Sequence, residues 1–313
     1  MFFWALILVS HACYTDIDQP LECDAPTFTF SGEDFFCYLA THDFTSAEEI
    51  AVIQLPEGRV EVSASECGGE ELIKNPHSGN EKLKAEVLHI KGAESTELVL
   101  KTNFAIGVDK RRLILENLNI KLEKEDSLDQ SLVGSGELWL KDVKFEDLKV
   151  HEAVFLVVVP KFRNVTFQNF DSRGLFSYFL GQVDISGLSI KNSSFSDNFA
   201  RIDSWGAPID FSNVSISNSN FKKFIETSVD LKFSYATFNS FQVKSSNFSG
   251  IFVDLRGGEF ASFSSFEVES SIFVSDFIKV NDANTLFNSF QVKSSYFSEC
   301  FVNLRGGDSA SVQ

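Results

Sequence analysis

The chain has 313 residues, of which 43% are hydrophobic, and this apolar content excludes an intrinsically disordered chain. The formal net charge of −17 would repel phosphate backbones, so we expect neither nucleic acid nor an anionic membrane as a partner. Phenylalanine occurs 34 times, against one methionine and three tryptophans. Such heavy use of one apolar residue predicts that it fills equivalent positions of a repeat.

Residues 1–12 have the features of a secretory signal peptide. The apolar run over residues 2–9 is too short to span a bilayer, and Ser10 and Ala12 provide the small residues of a cleavage site. No Lys or Arg precedes the run, so a buried first strand is the alternative. We expect the mature chain to be secreted or displayed on the extracellular face of the cell surface.

Export would place the five cysteines in an oxidising compartment, where thiols pair. We expect disulfides within an even N-terminal set that has three possible connectivities: Cys13, Cys23, Cys37 and Cys67. Cys300 is left over, either as a free thiol or as the partner of a cysteine outside this sequence. None of the spacings matches a zinc site, and we predict no metal and no cofactor.

Four N-glycosylation sequons agree with export. Their asparagines are Asn164, Asn192, Asn213 and Asn247. Asn164 and Asn213 come directly before an apolar strand, in a turn position, whereas Asn192 and Asn247 follow a strand. We therefore expect Asn192 and Asn247 to carry glycan more readily.

Residues 13–55 do not follow the repeat of the remaining chain. We expect them to form a cysteine-containing cap over the open edge of the first coil. Residues 45–48 (Thr-Ser-Ala-Glu) have the capping-box pattern, ahead of Ile50 and Val52. This pattern predicts one short helix.

A repeat of 24 or 25 residues runs through residues 56–313. Residues 238–246 recur unchanged as residues 287–295, and a more distant copy occupies residues 263–271. Each copy contains a short apolar-x-apolar strand, which is found at Leu118/Ile120, Val143/Phe145, Val165/Phe167, Leu188/Ile190, Val214/Ile216, Phe241/Val243, Phe266/Val268 and Phe290/Val292. Because these residues alternate and are β-branched or aromatic, we predict an all-β solenoid, a parallel β-helix of about ten coils.

Three columns of equivalent residues accompany the strands. The position before each strand holds a turn-forming residue that tolerates a positive φ: Asn117, Asp142, Asn164, Gly187, Asn213, Ser240, Ser265 and Ser289. One column after the strand consists of Phe195, Phe221, Phe248, Phe273 and Phe297. The other consists of Phe199, Ile225, Phe252, Phe277 and Phe301. Turns and strands that recur at one period predict in-register coils spaced by about 4.8 Å.

The charged residues at outward positions are consistent with coils that stack in this register. In one predicted outward column the charges alternate, through Lys244, Glu269 and Lys293. A second predicted outward column contains Asp254, Lys279 and Asn303. Opposite charges on neighbouring coils attract, whereas like charges would be destabilising.

The chain ends as a new coil begins, because Val312 occupies the repeat position of Phe263. We expect the solenoid to continue beyond Gln313 in a longer product, and a naturally blunt end is the alternative. An uncovered last coil would expose strand edges, so we expect edge-to-edge self-association there.

Over roughly residues 60–313 the chain resembles the pectin-lyase-like superfamily of right-handed parallel β-helices. Residues 192–198 (Asn-Ser-Ser-Phe-Ser-Asp-Asn) and 206–209 (Gly-Ala-Pro-Ile) resemble the FxxN and GGA-[ILV] motifs of polymorphic outer-membrane proteins. Later coils lack a second pair of these motifs. The resemblance implies a right-handed coil and a surface protein with a role in adhesion. Leucine-rich repeats share the period, but their Leu-dominated consensus is absent.

An enzyme of this superfamily that cleaves acidic polysaccharides would be expected to stack carboxylates in one outward column. The column Gln242, Glu267 and Gln291 contains a single acid. The one acid cluster that could form lies in loops, at Asp203, Asp210 and Asp230, and we expect these acids to bond local backbone. Arg256 and Arg305 each precede Gly-Gly and are predicted to be turn residues.

We therefore predict no catalytic, metal-binding or cofactor-binding residues. The leading hypothesis is a non-enzymatic secreted or surface-displayed β-helix that binds an extracellular protein or glycan along one face. The first alternative is a polysaccharide lyase or hydrolase with a degenerate site. The second is a structural spacer that presents a further domain.

Overall fold

The computed structural model describes residues 16–18, 25–47, 49–63, 84–101, 106–123, 133–179, 181–203, 206–227, 233–306 and 310–312. In these residues parallel strands stack into a β-solenoid of about nine turns with a period of about 25 residues. The predicted all-β solenoid and its period are confirmed, with about one turn fewer than expected.

The described residues form one helix and 23 strands. The helix is α1 (Phe35–Thr41), and none of these residues forms a helix long and apolar enough to cross a membrane. The strands are β1 (Thr27–Thr29), β2 (Ile50–Gln54), β3 (Gly58–Val62), β4 (Val87–Lys91), β5 (Thr96–Leu100), β6 (Ile106–Leu122), β7 (Val133–Glu146), β8 (Lys149–Gln168), β9 (Asp171–Phe179), β10 (Val183–Lys191), β11 (Ser194–Ile202), β12 (Ile209–Ser217), β13 (Asn220–Thr227), β14 (Phe233–Lys244), β15 (Asn247–Phe248), β16 (Val253–Arg256), β17 (Gly258–Glu269), β18 (Ile272–Phe273), β19 (Ile278–Asn281), β20 (Asn284–Lys293), β21 (Tyr296–Phe297), β22 (Val302–Arg305) and β23 (Ala310–Val312).

Two bends divide a coil into three strand segments. In the coil of residues 233–256, the first segment precedes a bend at Ser240, the second lies between Ser240 and a bend at Ser245, and the third follows. We name the outward surfaces of the three stacked segments face A, face B and face C, in chain order. Because equivalent segments pair in register, each face carries columns of side chains spaced by about 4.8 Å.

The first bend consists of the residues predicted for it. All eight, from Asn117 to Ser289, have φ between 53° and 73°. A second bend follows five residues later and was not predicted; its residues have φ between 49° and 55° and are Asp147, Asn169, Asn192, Asn218, Ser245, Ser270 and Ser294. Asn and Asp are the non-glycine residues that most readily adopt this left-handed conformation, because their short polar side chains bond locally.

The predicted alignment of the strands between the two bends is also confirmed. Each of the seven coil-to-coil steps appears in the register, through the pairs Ile120↔Phe145, Phe145↔Phe167, Phe167↔Ile190, Ile190↔Ile216, Ile216↔Val243, Val243↔Val268 and Val268↔Val292. At the end of the chain Val312 pairs with Phe287, which pairs with Phe263, so Val312 occupies the predicted repeat position.

Phenylalanine rings stack along the axis inside the solenoid. Successive rings of the column from Phe221 to Phe297 lie 4.8 to 4.9 Å apart and within 7° of parallel. The parallel column was predicted to include Ile225, but Phe224 takes that position, 4.8 Å from Phe199 and 5.1 Å from Phe252. The reason is an irregularity in the pairing of β11 with β13, which shifts the register by one residue.

Five serines, four of them buried, form a second internal ladder next to the second bend. In four steps the backbone N–H of one serine donates to the hydroxyl oxygen of the serine one coil further, at 3.1 to 3.2 Å. Each hydroxyl in turn donates to the carbonyl two residues before it, at 2.7 to 2.9 Å. The members are Ser193, Ser219, Ser246, Ser271 and Ser295. The ladder satisfies backbone N–H groups that the bend withdraws from the strand pairing.

The N-terminal region differs from its prediction. The helix lies at Phe35–Thr41, where the Asp34 carboxylate caps it by accepting from the N–H of Phe36 at 2.9 Å. Residues 45–47 form a turn, and the expected helical residues instead form β2, because this strand pairs with both β1 and β4. Strand stacking thus already begins within residues 13–55, which were expected to form only a cap.

The cysteines are only partly described. Cys37 is buried on α1, whereas Cys13, Cys23 and Cys67 lie outside the described residues, so the disulfide connectivity stays a prediction. Cys300 is a free and exposed thiol. The predicted signal peptide, residues 1–12, also lies outside the described residues.

We expect Phe252→Ala to lower the free energy of unfolding by about 3–5 kcal/mol, because it removes a ring that stacks on both Phe224 and Phe277. Phe260→Ala is the matched control, since this ring is 41% exposed and its loss should cost about 1 kcal/mol at most. Urea unfolding followed by circular dichroism measures both. Equal losses would contradict the stabilising role of the stacked columns.

Ser246→Ala tests the serine ladder. The substitution leaves the N–H of Ser219 without its acceptor inside the solenoid, and we expect a loss of about 1–3 kcal/mol in the same unfolding measurement. Ser264→Ala is the control because the hydroxyl of Ser264 bonds an exposed side chain, that of Asn239. A loss at Ser246 no larger than at Ser264 would show that the ladder contributes nothing.

Candidate binding groove

A polar groove of about 470 Å³ follows the first bend across four coils. Its lining combines first-bend residues, the next outward residues of face B and two buried strand residues, Val214 and Phe266. The full set is Asn213, Val214, Ser215, Ser240, Gln242, Ser265, Phe266, Glu267, Ser289 and Gln291. The first-bend residues have short side chains. These side chains do not fill the space on the outside of the corner between face A and face B, and this space is the groove.

The groove presents one chemical pattern repeatedly. Ser215, Gln242, Glu267 and Gln291 are register neighbours on successive coils, so a polar side chain recurs about every 4.8 Å. Amides and hydroxyls both donate and accept hydrogen bonds. Glu267 is the one carboxylate among these lining residues. The pattern suits an extended ligand that is itself a polar repeat.

The described residues contain no cluster of three or more His, Cys, Asp and Glu side chains that could hold a metal ion. Of the loop acids named from the sequence, Asp230 lies outside the described residues. Asp203 follows β11 and lies 3.8 Å from Arg201. Asp210 is on face A in register with Asp184, a neighbour that the sequence analysis missed.

The pair of Asp184 and Asp210 is the acid pair of face A. Burial and the nearby Asp184 carboxylate raise the pKa of Asp210 above its usual value, and the Arg163 guanidinium opposes this shift. Arg163 donates to both oxygens of Asp184, at 2.8 and 2.9 Å. Neither acid belongs to the outward column of Gln242, Glu267 and Gln291, which lies on face B.

Face C carries an ion-pair network that was also missed. The second predicted outward column has the expected register, but Asp254 is fully buried rather than outward and exposed. Its carboxylate accepts from Arg256 at 2.6 Å, and Arg256 also lies 3.1 Å from Glu226. Lys223 lies 2.8 Å from Glu226. Arg256 therefore joins two acids, in addition to preceding the predicted glycine turn.

The glycine turns themselves are confirmed. Gly257 and Gly306, which follow Arg256 and Arg305, have φ of 69° and 67°. Glycine suits these positions because it has no Cβ to clash in the left-handed region. The alternating column of Lys244, Glu269 and Lys293 has the predicted register as well, and Lys244 lies 3.4 Å from Glu269.

The four sequon asparagines are all exposed. Asn164 and Asn213 lie in the first bend, as predicted, with φ of 55° and 53°. Asn192 was expected to lie outside a turn, but it belongs to the second bend, with φ of 50°. Asn247 belongs to the short strand β15. Local geometry therefore distinguishes Asn247 alone from the other three sites.

No family model matches the chain, and no curated protein matches it. Among solved structures, the A-module of the mannuronan C-5 epimerase AlgE6 from Azotobacter vinelandii is similar. The two chains are 11% identical, and the match covers 84% of this chain and 89% of that chain with a TM-score of 0.27. A likeness at this level supports no argument about function.

Glu226→Gln should make stability less dependent on pH. Burial raises the pKa of Glu226, but the hydrogen bond and charge of Lys223, with Asn198 and Arg256, outweigh it and hold the pKa below its usual value. A lowered folded-state pKa stabilises the fold above the unfolded-state pKa, and this contribution is lost as the pH falls through the folded-state value. We therefore expect wild type to exceed Glu226→Gln in free energy of unfolding at pH 7, and the difference to shrink under acid.

Urea unfolding across the acid range measures this difference, and the exposed Glu259→Gln is the control. A difference between wild type and Glu226→Gln that is independent of pH would contradict the assigned role of the network.

Proposed function

We propose that this chain is a secreted or surface-displayed β-helix of the right-handed, pectin-lyase-like type, and that it binds an extended glycan along the groove without catalysing a reaction. The observation that carries the proposal is the in-register column of hydroxyl and amide side chains in the groove. The sequons and the signal-peptide features of residues 1–12 support export, and the motif resemblance supports a role in adhesion.

A glycan fits this lining better than a protein ligand does. The fully buried centre of a protein interface is apolar and rich in aromatic residues, whereas this groove is lined mainly by Ser, Asn and Gln. Sugar hydroxyls both donate and accept, as the lining side chains do. Tyr235 and Phe260, which are 47% and 41% exposed, are register neighbours on face A of the same coils and offer aromatic surface for stacking.

A polysaccharide lyase or hydrolase is the second candidate, and one observation favours it. Asp184 and Asp210 form an acid pair beside Arg163, and the pKa of Asp210 is raised, as general-acid catalysis requires. This pair lies on face A, away from the groove lining. A structural spacer would neither bind nor cleave glycans.

Self-association is also part of the proposal. In the coil of residues 284–305, Val292 is 43% and Leu304 38% exposed. The aromatic side chain of Tyr296 is 62% exposed in the same coil. Exposed apolar surface favours contact with another copy of the chain.

We expect the secreted chain, with any N-glycan on Asn213 of the groove lining removed, to bind a subset of an immobilised panel of neutral and acidic glycans. Gln242→Ala/Gln291→Ala should weaken that binding by about tenfold or more, because each lost hydrogen bond contributes about 0.5–1.5 kcal/mol. Asn220→Ala/Lys222→Ala removes exposed polar side chains from face C and should leave the affinity unchanged.

Two outcomes would contradict this proposal. Undiminished binding by the groove variant would place the site elsewhere, and absence of binding to every glycan would favour the spacer. Incubation with acidic polysaccharides, with and without Ca²⁺, addresses the enzyme. Turnover by the wild type that is lost in Asp210→Asn would show that the chain is an enzyme and would contradict the proposal of a non-catalytic binding protein.

A further inference from the structure

Residues 16–18 lie against face A, far along the chain from the residues that they contact. Ile17 is 1% exposed and packs with Ile114 and Trp139, which are register neighbours on the outward side of face A. Ile50 and Val87 border this cluster, which is separate from the phenylalanine core inside the solenoid. The contact removes apolar surface of face A from water.

Cations flank the aromatic ring of this cluster on two sides. The guanidinium of Arg112 lies 4.2 Å from the ring centroid of Trp139, and the ammonium of Lys161 lies 4.8 Å from it. Glu137 pairs with Arg112 at 2.5 Å. Lys161 thus adds positive charge beside a buried indole, in a chain whose net charge is −17.

Asp18 makes a two-point ion pair next to the ring. Its carboxylate accepts from Nε of Arg163 at 2.6 Å and from Nη2 at 2.9 Å, a geometry that is specific for carboxylates. The hydrogen bonds of Arg163 hold the pKa of Asp18 below its usual value, with smaller contributions from the charges of Lys141 and Lys161, while burial opposes the shift. The surroundings of Asp18 therefore favour an anion.

The latch site is the set of Ile114, Trp139, Lys161 and Arg163. We propose that the latch site binds an acidic peptide in which an apolar residue precedes an aspartate, and that Ile17 and Asp18 occupy it as a built-in, exchangeable ligand. The apolar side chain packs on the indole, and the carboxylate accepts hydrogen bonds from Nε and Nη2 of the guanidinium. This site is independent of the groove and of the function proposed for it.

Two features of the site favour exchange. The side chain of Asp18 is 55% exposed, so water and salt screen its ion pair. Within the part of the chain that the structure describes, the indole N–H of Trp139 is buried without a hydrogen-bond partner. A peptide that brings an acceptor to this donor satisfies it and binds more tightly than the built-in segment.

The test uses the full chain and a fluorescein-labelled peptide with the sequence of residues 15–19, Thr-Asp-Ile-Asp-Gln. In Ile17→Ser/Asp18→Asn the site is vacated, and we expect fluorescence anisotropy to show at least about tenfold tighter peptide binding than in wild type, where the built-in segment competes. Adding Arg163→Gln should abolish the gain, whereas adding Arg173→Gln, which changes an exposed arginine of face C, should preserve it.

Asp18→Asn alone serves as the milder variant, and circular dichroism verifies the fold of each. A peptide with both aspartates replaced by asparagine should not bind. Equal peptide affinity of wild type and the vacated variants would overturn the proposal, as would binding that persists in Arg163→Gln. Size-exclusion chromatography separates the two sources of peptide, because dimers that dissociate on adding free peptide identify the segment of a second copy as the ligand.

Discussion

In-register parallel stacking is the constraint on which the remaining structure depends. Each residue of a coil lies about 4.8 Å from its counterpart in the next coil. Each position therefore favours side chains that interact well with the side chain at the equivalent position of the next coil. Phe rings satisfy this condition by stacking, as from Phe221 to Phe297, where centroid distances are 4.8 to 4.9 Å. Serine hydroxyls satisfy it by accepting from the backbone N–H of the serine in the preceding coil. Charges satisfy it by alternating, as in Lys244 and Glu269.

The bends follow from the same constraint. A coil of about 25 residues must turn sharply, and a residue in the left-handed region must be small or must bond locally. Stacked Asn and Asp side chains are short and also bond from coil to coil, since the Asn164 amide donates to Asp142 and the Asn169 amide donates to Asp147. Short residues at the first bend also leave the groove open. The proposed ligand site is therefore a direct consequence of how the coil turns.

The ion pairs of the structure depend on where charged side chains lie in the stacked columns, and not on the net charge of the chain. The excess of acids lies mainly in residues 1–160, whereas Arg163 on face A and Arg256 on face C each join two carboxylates. On face A the second carboxylate belongs to the N-terminal segment, which the solenoid holds through Ile17 and Trp139. The solenoid thus binds part of its own chain on a surface next to the acid pair of Asp184 and Asp210.

The sequence alone determined the features that repeat. Alternating apolar residues predicted the strands between the bends and their register. The residue before each strand predicted the first bend, because every coil turns at the same position and needs a turn-forming residue there. The same reasoning located the register of Lys244 and Glu269. The second bend was not predicted, although Asp147, Asn169 and Asn218 are turn-forming residues like those of the first bend. The neighbouring Ser ladder could not be predicted, because its serines do not differ in type from exposed ones.

Only the tertiary structure determined the features that occur once in the chain and are not part of the repeat. Ile50–Gln54 is a strand because β1 and β4 pair with it, although the preceding residues carry a helix-capping pattern. Phe224 rather than Ile225 stacks on Phe199 because β11 and β13 pair irregularly, and Asp254 is buried beside Arg256 although its column was predicted to face outward. The contact of Ile17 with Trp139 joins distant parts of the chain. Such contacts depend on non-repeating geometry, which no periodic pattern in the sequence encodes.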